Sequence, residues 1–436
     1  MSELAKKVFK VFSEEPLRPE QIKDLYIPFD SLRGNYDIVR RLAGTISTSD
    51  RPTTQVLAGH QGSGKSTELM KLKLELESQK YFVVYCDSEQ DVDRNDVDFP
   101  EVLFALLRQL ASQLKERAGI DLQPGYFKAR FDKLNEILGS PIEFEKFDLG
   151  ASFFKISGKV KSSPATREKV RKALEPDTDN LLSATNDILG QATLELRKKG
   201  FEELVILFDD LDKMIVRPME NNRHSTDEHL FINRSPQMTG FHCHIVYTIP
   251  LSLAYSKYHQ TLKKLYCDQL PVVPMVSIRK MPPGGGINQP GVDAMRKMID
   301  VRLYSVLISQ KDVFENQAVC DELIMLCGGQ PSKLMSMIRE ALIADGLPLK
   351  APSLDRVRRE GKREFRRQLT REYWTLIEKY RQNAEHVPDA TEEPIFRTLL
   401  ESLALLQYVN GVEWYGLNPL VELLTPPPTE VPRASP

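Results

Sequence analysis

From Gly59 to Ser66 the chain reads Gly-His-Gln-Gly-Ser-Gly-Lys-Ser, which fits G-x-x-x-x-G-K-[ST] without a mismatch. Phosphate chemistry needs these residue types at this spacing. Glycines let the backbone fold tightly, so the N–H groups of Gly59, Gln61, Gly62, Ser63 and Gly64 can point inward at phosphate oxygens. The positive end of a following helix adds to that field. Lys65 reaches the β- and γ-phosphates, the Ser66 hydroxyl completes a Mg²⁺ shell, and Thr67 follows it at the helix start. The expected ligand is ATP with Mg²⁺.

A phosphate cradle needs an acid to share its metal. The run Leu204–Phe208 is apolar and ends in Asp209, Asp210 and Asp212. An acid at the end of a buried strand is costly unless a cation or donor meets it, and ligand sites in open α/β sheets lie at such ends. Asp209 is therefore assigned to the metal shell, and Asp210 to positioning and deprotonating an attacking water. Thr248, toward the end of the fourth apolar run, Cys243–Pro250, is placed to touch the γ-phosphate or that water.

Positioning these groups requires strands at Thr54–Ala58, Tyr81–Asp87, Glu203–Asp212 and Cys243–Pro250, with a weaker fifth at Pro271–Ile278. Helical patterns at Asn35–Thr45, Leu69–Leu76, Val102–Leu114, Arg167–Leu174 and Asp179–Lys198 separate them. Continuous apolar strands alternating with helices predict a parallel sheet covered on both faces. Within 118–176, alternation around Phe153–Ile156 and Gly158 predicts an inserted hairpin. A Pro/Gly linker, Met281–Gly291, precedes an almost wholly helical remainder: 293–308, 314–327, 332–344, 353–382 and 395–409.

The 436 residues exceed one ordinary domain. A 41% apolar share, 28% charged share and net charge of −2 leave no global field toward nucleic acid or acidic lipid. Five cysteines, an odd number without a C-x-x-C pair, read as reduced core thiols. Neither a signal peptide nor a membrane span is evident, so the expected setting is cytoplasmic, without membrane association. His242, Cys243 and His244 read as a packed strand entrance, since no second pair of zinc ligands is evident.

The glycine–lysine cradle, the acid strand and the hydroxyl-bearing strand, in this order, resemble P-loop ATPases of the AAA+ and STAND type over about 30–345. The resemblance implies an α/β P-loop core with strand order 5-1-4-3-2. It implies Gly59–Ser66 as Walker A, Asp209–Asp210 as Walker B and Thr248 as sensor 1. Phe29, Arg33 and Gly34 match the segment that cups adenine, and Gly329-Gln330-Pro331 matches the G-x-P signature of the STAND lid, bringing Arg33 and Pro331 to the nucleotide. AAA+ enzymes usually carry Glu where Asp210 stands, which predicts slow turnover. No arginine ends the helix after the fourth strand; Lys263 and Lys264 are nearest, with Arg279 and Arg302 as other candidates for a trans contact. Lys333 or Arg339 would substitute for the missing lid arginine.

Arg356–Gln382 is arginine-rich with aromatics interleaved, and could follow nucleic-acid phosphate. Glu360, Glu364, Glu372 and Glu378 instead predict an ion-paired, solvated face. Glu392–Leu424 resembles a winged-helix-like or helical docking module, with Trp414 and Tyr415 as anchors for a protein partner.

The expected organisation is an N-terminal helix and adenine-side segment (1–35), a P-loop core (36–280, with an insertion at 118–176), a helical lid (281–350), a helical C-terminal module (351–425) and a disordered tail (426–436). The resemblance implies a switch ATPase of bacterial antiviral defence that assembles with a separate effector protein, as a homo-oligomer or hetero-complex. The alternative is an initiator-like or DNA-loading ATPase that binds duplex through its C-terminal region.

Overall fold

Five short apolar runs form one sheet in the order β2-β3-β4-β1-β5 in the computed structural model. They are β1 (Thr54–Gly59), β2 (Phe82–Asp87), β3 (Leu204–Asp209), β4 (His244–Ile249) and β5 (Val272–Val273). The structure describes residues 2–122, 149–219, 224–282 and 285–426. Part of the expected insertion, 123–148, and the tail 427–436 lie outside the described residues.

β1, β3 and β4 are buried along their whole length, as their Val/Ile/Leu-rich runs require in a sheet covered on both faces. The pairs β2–β3, β3–β4 and β4–β1 are parallel, with Asp87 opposite Asp209 and Leu57 opposite Thr248. That register brings Asp209 and Thr248 to the carboxyl ends of adjacent strands. The expected strand order is the observed one, and the fold is a P-loop-type α/β core with helices on both faces. The fifth strand is shorter than expected: only Val272–Val273 pair as a strand.

The chain divides into two compact units. One comprises 38–58 and 65–272. Its first helices are α1 (Ile38–Ser47), α2 (Lys65–Ser78) and α3 (Phe99–Ala118). Leu69, Leu72 and Leu76 of α2 are fully buried. α3 begins on a capping box between Asp98 and Glu101, which satisfies two orphan N–H groups at once. The hairpin expected at 150–164 is instead helix α4 (Leu149–Ser162). Phe153, Ile156 and Val160 are buried, and their i, i+3, i+7 spacing is helical; the apparent alternation was accidental. Gly158 sits in that helix with nothing within 4 Å of a would-be Cβ.

The other unit comprises 1–37, 59–64 and 273–436. It holds α5 (Gln289–Tyr304), α6 (Gln317–Leu326), α7 (Pro331–Asp345), α8 (Ala351–Gln368), α9 (Arg371–Gln382) and α10 (Glu393–Glu401). The helix expected over 353–382 is broken at Leu369-Thr370. The helix expected to reach 409 stops at Glu401, and β6 (Leu405–Asn410) and β7 (Val412–Leu417) follow as an antiparallel hairpin. Asn410-Gly411 is a turn signal, and Gly411 takes φ 84°.

Trp414 and Tyr415 are not surface anchors. Both are buried; Trp414 stacks on Tyr408 at 4.5 Å, and Tyr415 meets Phe396 edge-on at 5.1 Å. Their large apolar area closes the core of the hairpin.

Candidate functional site

In the unit holding the sheet, the acidic end of β3 is crowded. One carboxylate oxygen from each of Asp209, Asp210 and Asp212 lies within 4.8 Å of the others. Asp209 is fully buried. Its carboxylate accepts from the Tyr85 hydroxyl at 2.6 Å, from the Asp210 amide at 2.8 Å and from the Ser66 hydroxyl. Burial, then the charge of Asp212, pushes the Asp209 carboxyl above its ordinary range.

Lys65, at the start of α2, pairs with Asp212 at 2.9 Å, both side chains being 5% exposed. Asp210 has φ 66°, an αL conformation that non-glycine residues rarely adopt. Its carboxylate lies 2.7 Å from Lys213, whose ammonium also reaches Glu89 at 2.7 Å. Burial and the neighbouring Asp209 raise the Asp210 carboxyl to about 6. The Thr248 hydroxyl, fully buried, accepts from the Leu211 amide at 3.2 Å. Thr248 thereby fixes the turn that carries the acids. Thr67 is half-buried in the first turn of α2.

The loop 59–64 belongs to the other unit. Gly59, Gly62 and Gly64 have φ of 155°, 75° and 106°, and a Cβ on Gly59 would lie 2.8 Å from the Val273 carbonyl. Glycine is required at these positions. Arg33, buried, donates to the Ser63 carbonyl at 2.5 Å and lies over the Phe29 ring at 5.2 Å. The Gln330 amide donates to the Gln61 carbonyl at 2.6 Å, and the Ser332 N–H to the Gly62 carbonyl at 3.3 Å. Pro331 takes the first position of α7, where its missing N–H costs nothing. The buried His60 ring accepts from the Gln407 amide of β6 at 2.8 Å. The Ser63 hydroxyl is buried without a hydrogen-bond partner among the described residues.

These observations fit a hard cation and a phosphate. An all-oxygen set of Ser66 and Asp209 suits Mg²⁺. Asp212 Oδ1 is buried without a hydrogen-bond partner among the described residues, an acceptor left for a cation or donor.

Sequence reasoning nominated Ser66, Asp209, Asp210 and Thr248, and the fold gathers these with Lys65. It nominated Gly59–Gly64, Arg33 and Pro331, and the fold gathers these separately around the loop. It gave no role to Asp212, Tyr85, Gln330 or His60. Gln330 sits within the quoted G-Q-P segment, and Asp212 three residues after Asp209, so both signals were in view. Of the other candidate cations, Arg279 pairs with Glu422 at 2.6 Å, Arg339 pairs with Glu14 at 3.4 Å and Arg302 is 9% exposed, whereas Lys264 is exposed and Lys263 and Lys333 are half-buried.

No protein-family model matches the chain, and no curated protein matches it. Among solved structures, it is similar to the Walker-type ATPase PABY2304 of Pyrococcus abyssi, at 15% identity and a TM-score of 0.44, over 94% of this chain and 98% of that one. It is also similar to the ORC2 protein of Aeropyrum pernix in ADPNP–ADP complexes, at 11% identity and 0.42, over 95% of each chain. A third similarity is to CDC6P of Pyrobaculum aerophilum, at 11% identity and 0.39, again over 95% of each chain. Overlaps this loose assign nothing; the site stands on its own geometry.

Proposed function

We propose that the chain is a Mg²⁺-dependent ATP-binding switch that hydrolyses ATP slowly and acts through a separate protein. The observation that carries this reading is the Ser66 hydroxyl hydrogen-bonded to the buried Asp209, directly beside Lys65. Ser66 and Asp209 would hold the metal, which when bound neutralises charge on phosphate oxygens. The amides of Gly59–Gly64 cradle the phosphates, and Lys65 exchanges Asp212 for them. Asp210 orients and deprotonates the attacking water, and Thr248 keeps its turn in place.

Two features support slow turnover. Asp210 is one methylene shorter than glutamate, and Lys213 holds it. A water-activating acid tied to a lysine is a weak base until released. The resemblance of Gly329-Gln330-Pro331 to the STAND lid supports a role in assembling an effector, in a bacterial antiviral setting. Isothermal titration with ATP and Mg²⁺ tests the binding step. Pull-down of the product of a neighbouring gene, with and without ATP, tests the partner.

A second reading, duplex DNA binding, is favoured by one observation. Arg359, Arg363, Arg366 and Arg367 of α8 are exposed and form no ion pair with any described residue. Their spacing puts them along one side of the helix, and the expected pairing with Glu360 and Glu364 does not occur. Fluorescence anisotropy with a labelled duplex at several salt concentrations tests this reading. Phosphate contacts would make affinity fall steeply with salt.

A further inference from the structure

The N-terminal segment and helices α5 and α7 enclose a cavity of about 420 Å³, within the unit that holds both termini. Its lining includes Phe9, Lys10, Glu15, Arg18, Arg302 and Arg339. Four of these six are cations and one is an acid.

Arg302 is the anomaly. It is nine-tenths buried, and its side chain donates to the Met298 carbonyl of its own helix at 3.2 Å. No carboxylate pairs with it among the described residues. Burial alone pulls its guanidinium down to about 10. Nearby, Arg339 lies over the Phe9 ring at 4.2 Å and reaches Glu14 at 3.4 Å, and its Nε is buried without a hydrogen-bond partner among the described residues. A buried charge is expensive unless something of opposite sign meets it. Among the described residues Arg302 is met by that one carbonyl and by no negative charge.

We propose that this cavity is a binding site for a small, soluble phosphate ester, held by Arg302 and Arg339. Guanidinium forks match phosphate oxygens in paired hydrogen bonds. The volume falls within the range of small-molecule sites, and Phe9 with its apolar neighbours provides a wall for the organic part. The site is formed by residues outside the phosphate loop and does not depend on the ATP reading.

The test is thermal unfolding of the full chain carrying Lys65→Ala, which removes the phosphate loop as a competing anion site. Sodium pyrophosphate and inorganic phosphate are titrated against NaCl at matched ionic strength. Pyrophosphate is expected to raise the midpoint by about 4 °C or more. Arg302→Met should lose that response while raising the ligand-free midpoint, because it removes the uncompensated charge. Arg302→Lys should keep part of the response. Should Arg302→Met fail to fold, Arg339→Gln, at the more open side of the cavity, is expected to weaken the response by itself. No response at millimolar pyrophosphate, an undiminished response in both arginine variants, or stabilisation by citrate alone would each overturn the proposal.

Discussion

The ammonium of Lys65 lies 2.9 Å from the carboxylate of Asp212, and both side chains are almost closed to solvent. The lysine expected to grip phosphate is thus held by an acid of the same site. On the proposed reading a triphosphate would displace that acid, and the pair would set how readily the site accepts ligand.

Removing Lys65 removes the grip. Lys65→Ala should weaken ATP binding at least ~100-fold, since it removes a charge-assisted contact to phosphate. Circular dichroism should show an unchanged fold. Undiminished affinity in a folded variant would count against the site.

Removing Asp212 should have the opposite sign for ligand. Asp212→Asn takes the Asp212 carboxylate away from the buried Lys65, and breaking a buried pair destabilises by about 3–5 kcal/mol. Phosphate then restores the missing charge, so ATP should bind more tightly by about tenfold and recover much of the lost stability. Titration calorimetry and thermal unfolding with and without ATP check both halves.

Turnover should depend on what holds Asp210. Lys213→Ala frees that carboxylate, and we expect steady-state ATP hydrolysis to rise several-fold. Asp210→Asn should reduce hydrolysis by about 10²–10⁴, the usual contribution of general base catalysis, while retaining ATP binding. EDTA should abolish hydrolysis in every variant.

The G-Q-P segment should matter through its glutamine. Gln330 donates to the Gln61 carbonyl at 2.6 Å, so Gln330→Ala leaves the loop without that restraint. Losing one such bond costs about 1 kcal/mol, which predicts roughly five-fold weaker ATP binding.

Asp98 gives a test of the fold that is independent of nucleotide. Burial opposes its charge, but hydrogen bonding from His229 and the charge of Arg234 prevail and hold its carboxyl far below the ordinary range. A depressed folded-state pKa stabilises above the unfolded value, near 4, and that stability drains away as pH falls below it. Asp98 also caps α3, so Asp98→Ala should cost about 1–2 kcal/mol at neutral pH. The gap between wild type and variant should narrow in acid unfolding curves.

The sequence by itself determined the sheet, because short continuous apolar runs alternating with helical patterns admit little other than parallel strands covered on both faces. It also determined the loop, where three glycines take backbone angles that side chains disfavour. Local pattern could not distinguish helix α4 from a hairpin, since Phe154 and Ile156 share a face at a strand's period while Phe153 and Ile156 share one at a helix's, and only packing shows which pair is buried together. It placed Trp414 and Tyr415 on a surface, whereas the hairpin turning at Gly411 buries them. Above all, only the tertiary structure decided which charge answers which. Lys65 meets Asp212 rather than standing open, and Arg302 is enclosed with no acid against it among the described residues. Charge pairing is settled by distances across the fold, between residues as far apart as 65 and 212, and no spacing along the chain encodes them.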